Sequence, residues 1–344
     1  MDLSDSSAIV SAFDEHVFGR FSPDCVDLWL TSISSFELGS WGIGHNLQVA
    51  VGGEDPHVVD VLAVLPRAVD RPDVFVGFNF RGNHTITQNP HVRIAQDAAA
   101  PLFYDDATAA PVPRGADAHR WPLEMILSAG FGVVTACHLQ LGPDDAKVKD
   151  HGLLPRLLKS GGNGGGIAMW AWFQRGLAKV MRDEGMVGDT IAFGHSRHGK
   201  AAIWATALDP ALAGVISNNS GSMGAATVLT PGAETPEVLA EMRPYWFAER
   251  FSQTVSSGLI DELPQRSLIA SILPRPVYIA SAAEDVHADP AGERATAEWL
   301  EERYPASPIG YHCRPGGHDV THVDWAHFLT FFGCRDGDLG VEND

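Results

Sequence analysis

A single serine stands at a glycine-flanked corner in Thr190-Ile191-Ala192-Phe193-Gly194-His195-Ser196-Arg197-His198-Gly199-Lys200-Ala201-Ala202-Ile203-Trp204. The apolar run entering it and the Ala-rich segment leaving it predict strand, tight turn and helix. Such a corner pushes the hydroxyl out above a sheet, and the N–H groups opening the helix point at whatever the hydroxyl attacks. The chemistry in view is nucleophilic acyl transfer by Ser196. Arg197 and Lys200, one and four residues on, reach the same pocket from the first helical turn. Cations beside a nucleophile stabilise developing negative charge or hold an oxygen-rich substrate. The spelling departs from the common G-x-S-x-G, because the second glycine, Gly199, comes three residues after the serine.

A serine needs a base, and the base needs an orienting acid. Among 15 histidines, with His84, His312, His322 and His327 as rivals, His318 is selected by its place in Arg314-Pro315-Gly316-Gly317-His318, a turn between a short strand at 310–312 and a helix carrying Asp324-Trp325. For the acid, the strand Val277-Tyr278-Ile279-Ala280-Ser281 is followed by Glu284-Asp285-Val286-His287-Ala288-Asp289-Pro290. Asp289 precedes a proline and reads as a helix cap, whereas Asp285 comes sooner after the strand and is preferred. The order Ser196, Asp285, His318, with acid and base in loops just past strands, is the one α/β-hydrolases use, because parallel strands deliver all three loops to one edge of the sheet.

The elements needed to position them are legible. Leu47-Gln48-Val49-Ala50-Val51 and the run 58–66 predict an antiparallel pair opening the sheet, and residues 1–30 read as partly helical. Val74-Phe75-Val76-Gly77-Phe78-Asn79-Phe80 and 131–137 read as strands buried on both faces. Arg81-Gly82-Asn83-His84 then occupies the place where this fold puts part of its oxyanion hole. A helix at 167–182, the strand into Ser196, its helix, and strands at 215–217 and 277–281 continue an α/β alternation. The fold class predicted is an α/β-hydrolase with a mostly parallel central sheet in a three-layer αβα sandwich, in one domain over 1–344. Inserts are predicted at 86–119, rich in Pro, Ala and Asp, and at 229–265, a helical cap around Pro244-Tyr245-Trp246-Phe247. The glycine run at 161–166 lacks the GK[ST] ending of a phosphate cradle and reads as a flexible loop.

Composition narrows the partners. At 344 residues and 45% hydrophobic, core size is not limiting. A formal charge of -19 argues against nucleic acid and anionic membrane surfaces, leaving small molecules, glycans and proteins. Cys25, Cys137, Cys313 and Cys334 are widely spaced, with no C-x-x-C, so neither a zinc site nor a dense disulfide framework is indicated, although one or two bridges stay open. Met1-Asp2-Leu3-Ser4-Asp5 lacks a secretory signal and no apolar run reaches about 18 residues, so the chain as given reads as unexported; a chain trimmed of its leader would read the same.

Gly194-His195-Ser196-Arg197-His198-Gly199-Lys200 resembles the G-[CH]-S-R-x-G-K signature of the glucuronoyl esterases, which cleave esters between lignin alcohols and glucuronic acid on xylan. The resemblance runs from about Val74 to Phe332 and takes in Asn79-Phe80-Arg81-Gly82-Asn83-His84-Thr85, Arg120-Trp121-Pro122, Trp170-Ala171-Trp172 and Pro244-Tyr245-Trp246-Phe247. It implies a serine α/β-hydrolase without cofactor or metal, acting on a uronic acid ester or a glucuronoxylan-derived oligosaccharide. Ser196 would be the nucleophile, His318 the base and Arg197 an oxyanion donor, while Lys200, Glu241 and Trp246 would lie on the sugar side. Two departures stand out. Many members carry the acid as Glu where this chain has Asn219, others at the position of Asp285, so the acid falls to Asp285. His287 stands where the family has a Trp against the sugar, which leaves open an esterase or acyltransferase on another acyl or sugar ester, acetyl and feruloyl among them.

Overall fold

Three antiparallel strands, β1 (Leu28–Leu38), β2 (Gly42–Val51) and β3 (His57–Pro66), open the sheet. Six more follow: β4 (Val74–Asn79), β5 (Gly132–Cys137), β6 (Thr190–His195), β7 (Gly214–Asn218), β8 (Val277–Ala282) and β9 (Ile309–Arg314). The computed structural model describes residues 5–95 and 112–333. The nine strands stand in the order β1-β2-β3-β5-β4-β6-β7-β8-β9. β3 meets β5 antiparallel, and every pairing from β5 to β9 is parallel. Strands β4 to β8 are buried at every position, as near-continuous apolar runs in a sheet covered on both faces require.

Among the described residues ten α-helices accompany the sheet: α1 (Ser6–Phe13), α2 (Leu123–Ser128), α3 (Leu154–Lys159), α4 (Gly166–Asp183), α5 (Arg197–Leu208), α6 (Pro236–Met242), α7 (Phe251–Ser256), α8 (Gln265–Ala270), α9 (Pro290–Arg303) and α10 (His322–Gly333). Period-2 alternation divides the strands between two cores. Val74, Val76 and Phe78 join α4, α5 and α9 on one face, while Phe75, Phe193 and Tyr278 join α2 and α10 on the other. The result is the αβα sandwich of an α/β-hydrolase, with the loops after β4, β6, β7, β8 and β9 at one rim.

Residues 1–30 are partly helical as expected, through α1, and Leu28–Leu38 form the 11-residue strand β1, of which the sequence carries no reading beyond residue 30. Its Leu-Trp-Leu-Thr-Ser-Ile-Ser-Ser pattern alternates only weakly, because β1 is an edge strand with one face largely in solvent. The predicted insert at 86–119 lies partly outside the described residues; what is described of it is a short helical turn at Ala118–Arg120 and the irregular segments on either side. The 229–265 segment folds as α6, α7 and short turns, over the edge where Ser196 emerges.

Candidate active site

Ser196 is the N-cap of α5, with φ 58° and ψ -131°, a conformation that costs a non-glycine residue about 1–3 kcal/mol and recurs where function demands it. The turn is closed by Ser196 N–H donating to Asn218 O and Gly199 N–H to Ser196 O. Both glycines are steric necessities: a Cβ on Gly194 would lie 2.0 Å from the carbonyl oxygen of His198, and one on Gly199 would lie 2.7 Å from the Cβ of Ser220. Gly194→Ala is expected to destabilise the protein by about 3 kcal/mol or more, read as a lowered Tm, because backbone on both sides of the corner must move.

The acid and base predicted from sequence meet. Asp285 Oδ2 lies 2.5 Å from His318 Nδ1, so Nε2 is the ring nitrogen left for a proton from elsewhere. The same oxygen accepts from Asn219 Nδ2 at 2.7 Å, and Oδ1 takes the Ala288 N–H. Burial works to raise the Asp285 pKa, but the hydrogen bonds from His318 and Asn219 outweigh it and hold the carboxyl below its ordinary 3.8. Asn219 thus stands beside Asp285 as its donor. Asp289 is fully buried and caps α9 through the Gly292 N–H while also accepting from Leu229 and Thr230, which takes it out of the site.

The His318 ring packs on His195, centroids 4.5 Å apart. Burial and the neighbouring His318 push the His195 imidazole down to about 3, so it is neutral. Its Nδ1 meets Asn218 Oδ1 at 2.6 Å, Asn218 Nδ2 reaches Asp324, and Asp324 takes His312 Nε2 and Arg314 Nε at 2.9 and 2.7 Å. At the start of α10 Asp324 Oδ2 accepts both the Thr321 N–H and the Thr321 hydroxyl, and Arg120 pairs with Asp319 next to His318. His318 therefore rests on a braced loop.

Arg197 is held from an unpredicted quarter. Its guanidinium pairs with Asp144, which also accepts Trp246 Nε1 at 2.6 Å, and its Cζ lies 5.2 Å from the Trp246 ring and 5.8 Å from that of Phe80. Trp246, expected on the sugar side, is only 5% exposed and serves here as part of the Arg197 cradle. In the Arg81–His84 loop Gly82 N–H is taken by Asn79 Oδ1 and the Arg81 guanidinium by Asp117, and the Phe80 ring just before it packs on His198.

Lys200 is buried, its Nζ donating to Ser220 O at 2.5 Å and lying 3.4 Å from Glu234 Oε2; burial lowers its pKa and Glu234 partly restores it. The carboxylate that meets Lys200 is therefore Glu234, not Glu241, which is exposed on α6. The Glu234 N–H donates to the His287 carbonyl, setting the exposed His287 beside the pair. Asp144 and Glu234 carried no signal in sequence: each joins its cation from 53 and 34 residues away. Among the described residues, no group of three or more His, Cys, Asp or Glu side chains could hold a metal ion, and no helix is long and apolar enough to cross a membrane.

A model of fungal glucuronyl esterases matches residues 93–302. Carbohydrate esterase MZ0003, from an unknown prokaryotic organism, is 33% identical over 93% of this chain and 81% of its own length. The chain belongs to the glucuronoyl esterase family. It is a carbohydrate ester hydrolase of the serine type. Among solved glucuronoyl esterase structures, a promiscuous CE15 esterase from a marine bacterial metagenome superposes with a TM-score of 0.81 at 30% identity, covering 95% of this chain and 90% of that one. A glucuronoyl esterase from Solibacter usitatus gives 0.81 at 27%, covering 95% and 91%. The α/β-hydrolase fold of the glucuronoyl esterases is thus matched over nearly the whole chain.

Proposed function

We propose that this protein hydrolyses esters of glucuronic acid and its 4-O-methyl derivative through an acyl-enzyme on Ser196. The observation that carries the reading is the 2.5 Å contact between Asp285 Oδ2 and His318 Nδ1, at the same rim as the strained Ser196 corner. His318 Nε2 takes the Ser196 proton as Oγ attacks the ester carbonyl. The oxyanion forms against the Arg197 N–H at the start of α5 and against its guanidinium, which Asp144 holds in place. Collapse breaks the ester C–O bond, and His318 returns the proton to the leaving alcohol. Water, deprotonated by the same imidazole, then attacks the acyl carbonyl and frees the uronic acid and Ser196.

Lys200 and Glu234 supply hydrogen-bonding groups for sugar hydroxyls, a buried ammonium and a partly exposed carboxylate side by side. The exposed His287 beside them offers less stacking area than the Trp the family has there. His287→Trp is expected to lower KM for methyl glucuronate by about two- to tenfold with kcat little changed, the range an added aromatic contact provides. A panel of methyl and benzyl glucuronate, acetyl xylan fragments and feruloyl esters tests the assignment. Uronyl esters should have the highest kcat/KM; a preference for acetyl or feruloyl esters would contradict it and favour another acyl group, in keeping with the breadth named for the marine relative.

A further inference from the structure

Glu293 lies on the inner face of α9, wholly out of solvent, and no step above uses it. Its Oε1 accepts from the backbone N–H groups of Ser220 and Gly221 at 2.7 and 3.1 Å, and its Oε2 from Ser281 Oγ at 2.7 Å. Ser220 and Gly221 directly follow Asn219 past the end of β7, and Ser281 is the penultimate residue of β8, four before Asp285. One carboxyl therefore ties the loop bearing Asn219 to the strand that delivers Asp285. From the opposite side Lys200 grips the Ser220 carbonyl, so this peptide is fixed at both ends. Asn219 is itself in the left-handed region, φ 47°, with its Nδ2 2.7 Å from Asp285 Oδ2. A displacement of this turn by about 1 Å would take that contact outside hydrogen-bond range.

The geometry points to Glu293 as a positioning residue: by clamping the two loops together it sets Asn219 against Asp285 and, through Asp285, fixes the imidazole of His318. This rests on Asp285 being the orienting acid. What the clamp needs is an acceptor on the two N–H groups and a polar atom facing Ser281, whose hydroxyl can donate or accept. Burial pushes the Glu293 carboxyl up to about 7, and in its neutral form Oε2–H donates to Ser281 while Oε1 still accepts both N–H groups. A glutamine side chain supplies the same pattern, so the conservative variant should rescue.

The test compares the full chain with Glu293→Ala, Glu293→Gln, Ser281→Ala and Asp285→Asn, measuring kcat and KM on methyl glucuronate per folded protein, with folding checked by thermal melts. Glu293→Ala should lower kcat about tenfold or more with KM within about twofold, Glu293→Gln should recover most of it, and Ser281→Ala should cost about threefold. A Glu293→Ala kcat within twofold of wild type, or a glutamine variant no better than alanine, would overturn the clamp. If the alanine variant does not fold, Ser281→Ala decides: a kcat drop rescued by Ser281→Thr supports the clamp, and an unchanged kcat overturns it. An unaffected Asp285→Asn would strike the acid assignment instead, whereas a damaged Asp285→Asn with an unchanged Glu293→Ala strikes only the clamp.

Discussion

Ser196→Ala is expected to lower kcat on methyl glucuronate by about 10⁴-fold or more while leaving KM and Tm close to wild type. The hydroxyl is the only atom lost, and the corner that carries it is closed by backbone hydrogen bonds and by the steric demands of Gly194 and Gly199, none of which involves Oγ. What would remain is the oxyanion pocket around Arg197 and the Lys200–Glu234 pair. Stopped-flow release of alcohol should show no burst in the variant. Full turnover by Ser196→Ala would remove the acyl-enzyme from the account.

Asp285→Asn comes next, at about 10³–10⁴-fold in kcat, because an amide donating to His318 Nδ1 would hold the imidazole in the wrong tautomer. Asn219→Asp should cost far less, about tenfold, since it leaves Asp285 in place. It would, however, set a second carboxylate 2.7 Å from Asp285 Oδ2, where the two cannot both ionise freely. The activity limb on the acid side should therefore move to higher pH in Asn219→Asp. The reverse ranking of the two variants would refute Asp285 as the acid. A linked effect concerns stability. Hydrogen bonds hold the Asp285 carboxyl below 3.8 in the fold, so its ionised form stabilises the protein above that pH, and the contribution is lost as pH falls through the lower folded value. Asp285→Asn should flatten that part of the pH–Tm curve.

How much of this could be read in advance depends on where the information lies. Strands β4 to β8 were legible because burial on both faces writes them as continuous apolar runs, and the position of Asp285 and His318 just past strands followed from the parallel topology. The edge strand β1 was not legible, since its serines satisfy one face in water and blur the alternation. Which carboxylate meets Lys200 was not legible either. Glu241 and Glu234 are equivalent to sequence inspection, and only the packing of the segment ahead of α6 against the His287 loop turns Glu234 toward Lys200. Asp144 and Glu293 were invisible for the same reason. Their roles arise from partners 53 and 73 residues away, and a lone acidic residue in a turn or a charged helix announces nothing.

The most direct measurement of the central claim is peptide mapping after treatment with a serine-directed phosphonate. Ser196 should carry the adduct in the wild type, and labelling should slow by about 10³-fold in Asp285→Asn and in His318→Ala, because the nucleophile depends on both. Adduct on a different serine, or labelling of Ser196 at an unchanged rate in both variants, would contradict an activated serine at this corner.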